Sequence, residues 1–114
     1  MKVAQLEGTL LDYWVGRAQG WHPTIIGGTC VDGRGTPHDL IEFRRWSPST
    51  DWAIGGPIIE REYIVLLGSE LGWCAWVNGS PTLEDKEEGR AEAALVAAMR
   101  AYVSSKFGED VSDL

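Results

Sequence analysis

"LVAAMRAYVSSKF", residues 95–107, carries the clearest periodic signal in the chain and decides the fold class. Leu95, Ala98, Met99, Tyr102 and Val103 recur at helical spacing with Glu92, Arg100 and Ser104 opposite, the pattern of a helix with one buried stripe. Acidic residues crowd its approach, Lys106 lies in its last turn and Gly108 suits the position just past its end. Two starts fit, one near Thr82 and one after Gly89. "GEDVSDL" reads as a frayed end, so a single domain over 1–108 with a flexible 109–114 is expected.

Upstream, "YIVLL" (63–67) and "WCAWV" (73–77) are apolar runs separated by Ser69 to Gly72, which predicts an antiparallel hairpin. "NGSP" (78–81) and "DGRGTP" (32–37) are turn chemistry, and "LIEF" (40–43) alternates as a short strand. "TIIGGTCV" (24–31) is β-branched but broken by Gly27 and Gly28, which suggests a bulge or bend. Near the start, Thr9 precedes "LLDYWVGRAQG" and has Asp12 three residues on, a capping-box-like opening, with Gly20 as the stop. At 100° per residue Leu10, Leu11, Trp14, Val15 and Ala18 share a stripe about 140° wide. Asp12, Tyr13 and Gly16 fall outside it. An interior helical glycine costs about 0.5–1 kcal/mol against Ala, so Gly16 implies a close approach by other atoms. Two helices and about four short strands in this order predict an α+β fold. A small antiparallel sheet would carry the N-terminal and C-terminal helices.

The 114 residues are 44% apolar and 24% charged, as in an ordinary soluble domain. No run reaches the ~20 apolar residues of a membrane span, and the N-terminal stretch lacks the pattern of a signal peptide. A net charge of −7 argues against duplex nucleic acid, which requires cations to displace phosphate counterions. Two cysteines, Cys30 and Cys74, are too few for a disulfide framework, and each sits in an apolar stretch as an inert buried thiol would. His22 and His38 lack metal spacing and read as exposed loop residues; no metal or cofactor is expected. No oligomeric state follows from the pattern.

The segment "WSPSTDWAIGGPII", residues 46–59, has neither helical nor strand periodicity. Ser47 before Pro48 opens a turn, and Ser49, Thr50 and Asp51 can bond nearby amides. Pro57 after Gly56 would begin a short helix, "PIIERE". The amides of Gly55, Gly56 and the first turn would then accept an anion, with Trp46 and Trp52 offering indoles for a ring. Against this, such loops usually satisfy themselves, and Gly-Gly-Pro is not a phosphate-loop motif.

Three stretches, "LDYWVGRA", "SPSTDWAIGGPIIERE" and "LVAAMRAYVSSKFGEDV", resemble in order the NinX-type family of phage and prophage accessory proteins. The likeness covers most of the chain and is weakest from about Gly68 to Arg90. It implies a phage or prophage origin and a place in the host cytoplasm, and it transfers no catalytic residue. It also links Asp12, Tyr13 and Gly16 to the loop. The expected site therefore joins Asp12, Tyr13 and Gly16 to Ser49, Thr50, Asp51, Trp52, Gly55, Gly56 and Pro57. Its expected role is non-enzymatic binding of a small anionic or nucleotide-like ligand. The alternatives are a module docking on a host or phage protein through its tryptophans, and a small enzyme using Asp12, Asp51 or Glu60.

Overall fold

A computed structural model describes residues 1–33, 44–77 and 89–112. After a short 3-10 turn (Val3–Gln5) come α1 (Gly8–Ala18), β1 (Thr24–Ile26), β2 (Thr29–Val31) and α2 (Trp52–Arg61). β3 (Val65–Ser69), β4 (Gly72–Trp76), β5 (Gly89–Ala91) and α3 (Ala94–Phe107) follow. The fold is α+β, with the strands divided between two antiparallel sheets, β1-β2 and β3-β4-β5, and with a third helix in the middle of the chain.

α3 is the central element. Leu95, Ala98, Met99, Tyr102 and Val103 are buried as their spacing predicts, and so are Ala97 and Ala101. Small residues on the added face let β5 approach closely: a Cβ on Gly89 would collide with the Ala97 carbonyl and the Ala101 amide. The helix starts after Gly89, once β5 has paired with β4 through Trp73↔Ala91 and Ala75↔Gly89. Arg100, expected to face outward, is half-buried and donates from Nε to the Leu6 carbonyl (2.8 Å) and from Nη1 to that of Arg90 (2.8 Å).

The predicted hairpin is β3-β4, closed at Ser69↔Gly72 around a two-residue loop. Tyr63 and Ile64 precede it, because α2 extends to Arg61. Gly27 and Gly28 form no bulge. They are the two-residue turn of the β1-β2 hairpin, both with positive φ, which glycine adopts at no steric penalty. Residues 44–46 extend this sheet: Asp32 N–H donates to the Arg44 carbonyl (3.0 Å) and Trp46 N–H to the Cys30 carbonyl (2.9 Å). The expected strand at 40–43 and turn at 78–81 lie outside the described residues, as does His38.

α1 packs against this smaller sheet and against α3. Its end is as predicted: Gly20 N–H donates to Arg17 O (3.0 Å) and Trp21 N–H to Gly16 O (3.1 Å), a Schellman stop with Gly20 at φ +84°. Its start is not. The helix begins at Gly8 without a side-chain cap, and the Thr9 hydroxyl donates across to the Gly28 carbonyl (2.8 Å). The frayed end expected from residue 109 is paired as far as Val111. Val3 N–H donates to Glu109 O (2.9 Å), and Met1 and Val111 exchange hydrogen bonds of 2.8 and 3.0 Å. No helix among the described residues is long and apolar enough to cross a membrane.

Candidate functional site

Asp12 and the loop before α2 do meet, but as a structural seam. Ser49 N–H donates to Asp12 Oδ1 (2.8 Å) and the Trp46 indole Nε1–H donates to the Asp12 carbonyl (2.9 Å). The loop covers Asp12 and leaves it 5% exposed, although it lies outside the apolar stripe of α1. Burial raises its pKa, opposed by hydrogen bonding from Ser49 and by the charge of Arg45. The Ser49 hydroxyl lies near enough to favour the carboxylate, yet closes no hydrogen bond of good geometry. Gly16 is the close approach its cost implied: a Cβ there would stand 2.8 Å from Pro23 Cγ and 3.3 Å from Trp46 Nε1. Tyr13 is half-exposed and its hydroxyl accepts from Arg17 Nη1 (3.1 Å).

The anion cradle expected at Gly55 and Gly56 is absent. α2 begins at Trp52, five residues before Pro57, so Pro57 lies inside the helix. Gly55 N–H donates to the Asp51 carbonyl (2.8 Å), an ordinary helical bond. Asp51 is the N-cap, and its Oδ1 accepts from Ala53 N–H (2.9 Å), so its carboxylate sits where an anion would have to dock. Gly55 is small for packing: a Cβ would strike the Pro48 carbonyl and lie 2.6 Å from Leu95 Cδ1. Thr50 and Trp52 are exposed, Trp52 at 55%.

A cleft shares Trp46 with this seam and has a volume of about 390 Å³. Residues 44–46 contribute Arg44, Arg45 and Trp46, and α2 contributes Ala53, Ile54, Pro57, Ile58 and Arg61. Gln19 and Trp21, from the end of α1, join Asp32 in completing it. Of the expected site residues, Pro57 alone lines this space; Tyr13 and Trp52 do not. Asp12 and Gly16 act on it indirectly, by fixing Trp46.

Three of the chain's ten Lys and Arg residues converge here, in a chain of net charge −7. Arg61 is held in place: its Nη2 donates to Gln19 Oε1 (2.6 Å) and more weakly to the buried Tyr102 hydroxyl (3.5 Å). The Glu62 carboxylate, 4.0 Å from Arg61 Nε, is the looser contact. Trp21 meets Trp46 edge to face, ring centroids 4.8 Å apart at 68°. Cys30, whose carbonyl accepts from Trp46 N–H, is buried, and burial together with Asp12 and Asp32 pushes its thiol up to about 11, which keeps it protonated and unreactive. Pro57 has no N–H for the Ala53 carbonyl four residues back, and both residues line the cleft.

The arginines and Trp21 escape sequence reasoning because they come from three separate segments. The available signal is "FRRW" (43–46), adjacent cations beside an indole in an acidic chain.

The family model described as Bacteriophage P22, NinX matches residues 2–106, which takes in both seam and cleft. The chain belongs to this NinX family. The three stretches that carry the resemblance map onto α1, onto the loop with α2, and onto α3. The middle stretch thus supplies both the Asp51 cap and the helical side of the cleft. No curated protein matches the chain.

Proposed function

We propose that this phage-family protein is a non-enzymatic binding protein for a small anionic ligand, held in the cleft and acting in the host cytoplasm. The observation that carries this reading is the convergence of Arg44, Arg45 and Arg61 in a strongly acidic chain. Guanidinium groups recognise phosphate and carboxylate bidentately. The surrounding negative charge disfavours a duplex, whose phosphates extend far beyond one cleft.

Asp12, Gly16, Ser49, Asp51 and Gly55 serve as positioning residues that fix Trp46 and the start of α2, and Pro57 lines the cleft. Tyr13, Thr50, Trp52 and Gly56 take no part in this reading. An enzymatic role for Asp12 or Asp51 is disfavoured because both carboxylates already accept backbone N–H groups. A ligand that binds only the folded chain raises its melting temperature by mass action. Millimolar inorganic phosphate or pyrophosphate should therefore raise the wild-type melting temperature and leave that of Arg45→Gln unchanged. No shift with either anion would refute the reading.

A second reading, docking on a host or phage protein, is favoured by the exposed Trp52 and Tyr63 at the two ends of α2. Native mass spectrometry of protein purified from infected cells separates the two. A retained small mass supports the first reading, and a retained polypeptide lost on Trp52→Ala supports the second.

A further inference from the structure

We infer that the cleft takes a nucleoside monophosphate, with its base against Trp21 and its phosphate on the arginines. This rests on the anion-binding reading and narrows it. A site for a bare inorganic anion needs donors and no apolar surface. This one sets Trp21 and the apolar side of α2, Ala53, Ile54 and Pro57, in one lining with Arg44, Arg45 and Arg61. The ligand that matches both surfaces carries an anion at one end and a flat apolar ring at the other.

Trp21 suits the ring. It is half-buried, and its edge-to-face contact with Trp46 fixes its plane, since Trp46 is itself pinned to the Asp12 carbonyl. A fixed indole bordering solvent is a stacking platform whose orientation is settled before the base arrives.

Asp32 supplies the third requirement. A carboxylate in an anion cleft repels a ligand that is anionic throughout, yet Asp32 lines this one while only 1% exposed. A nucleotide resolves the conflict, because its base and ribose present N–H and O–H donors away from the phosphate. The Asp32 charge, buried in the lining, favours that donor-bearing part of the ligand over the phosphate. Gln19, also lining the cleft, offers both donor and acceptor. The volume of about 390 Å³ falls in the usual range for small-ligand sites and fits one nucleotide.

Isothermal titration of the full chain with adenosine and guanosine monophosphates, the two nucleosides and inorganic phosphate tests this. At least one monophosphate should bind ten-fold or more tighter than either its nucleoside or inorganic phosphate. Trp21→Leu should remove that advantage, by roughly ten-fold as expected for one base stack, and leave phosphate binding unchanged. Should Trp21→Leu fail to fold, the wild-type indole N–H resonances serve instead. Trp21 should shift on titration, and a shift confined to other indoles would overturn the assignment. Nucleotides binding no better than phosphate would overturn the inference and leave the anion reading standing. Failure of every probe to bind folded protein would overturn both.

Discussion

Burial lifts the Asp12 carboxyl above its ordinary value near 3.8, while the Ser49 amide and the Arg45 charge hold it back. A raised pKa means that the folded chain binds this proton more tightly than the unfolded one. Stability from this group is therefore complete below the ordinary value and is lost as pH rises through the raised one. Asp12→Asn retains an oxygen acceptor for Ser49 N–H and has no charge to bury. Urea melts of the two proteins should diverge in favour of Asp12→Asn as pH rises through that window; a constant difference would contradict the burial argument. Tyr63 is a second residue under local tension. It lies at φ +51° just past α2, in the position glycine usually takes, with Ile64 N–H donating to Ile59 O (3.0 Å) to complete a Schellman stop. Its side chain is 76% exposed, so little packing compensates for the left-handed backbone. Tyr63→Gly should stabilise the fold by about 1 kcal/mol in chemical denaturation. The sequence marks Gly20 as a helix stop because the residue type matches the geometry, and conceals this one because a tyrosine holds it.

Adjacent glycines in α2 make opposite predictions. A methyl on Gly55 meets the Pro48 carbonyl and Leu95, whereas nothing lies within 4 Å of a Cβ on Gly56. Gly55→Ala should destabilise by about 1–3 kcal/mol through overpacking. Gly56→Ala should stabilise by about 0.5–1 kcal/mol through helix propensity. Thermal melts that ranked the two the other way would contradict the close packing of Gly55 on Pro48 and Leu95. The same dipeptide explains why this helix was hidden. Gly-Gly-Pro reads as a breaker, and only the Asp51 cap with Ile54 and Ile58 one turn apart argues for a helix across it. Packing of Gly55 and Ile58 against the core outweighs the local preference. α3 needed no such help, since its apolar spacing continues over nearly four turns. β5 is three residues long and, among the described residues, joins the sheet through β4, so no periodic signal could reveal it.

At the scale of the whole molecule, the two ends of the chain hold each other. Truncation after Gly108 removes three backbone hydrogen bonds to residues 1–3 and the buried Val111 side chain. The exposed Lys2–Asp110 ion pair adds little. The shortened protein should lose about 2–4 kcal/mol of stability, read from denaturant melts. An unchanged midpoint would show that the pairing is dispensable. Long-range placement is also what the sequence conceals about the site. Asp12 lies outside the stripe of its own helix and looks like a surface residue until a loop more than thirty positions later covers it. Trp21, Asp32, Arg45 and Arg61 share no spacing; the β1-β2 hairpin and the seam bring them together.

The mutual pairing of Met1 and Val111 has a topological consequence: the backbone is nearly a closed ring. A short linker can therefore join the ends, and new ends can be opened between Glu70 and Leu71, where Leu71 is 96% exposed at the hairpin tip. Such a circular permutant should fold and keep its response to anions, because residues 19–61, which build the cleft, remain on one uninterrupted piece. Where the polypeptide begins is, for this architecture, a matter of convenience.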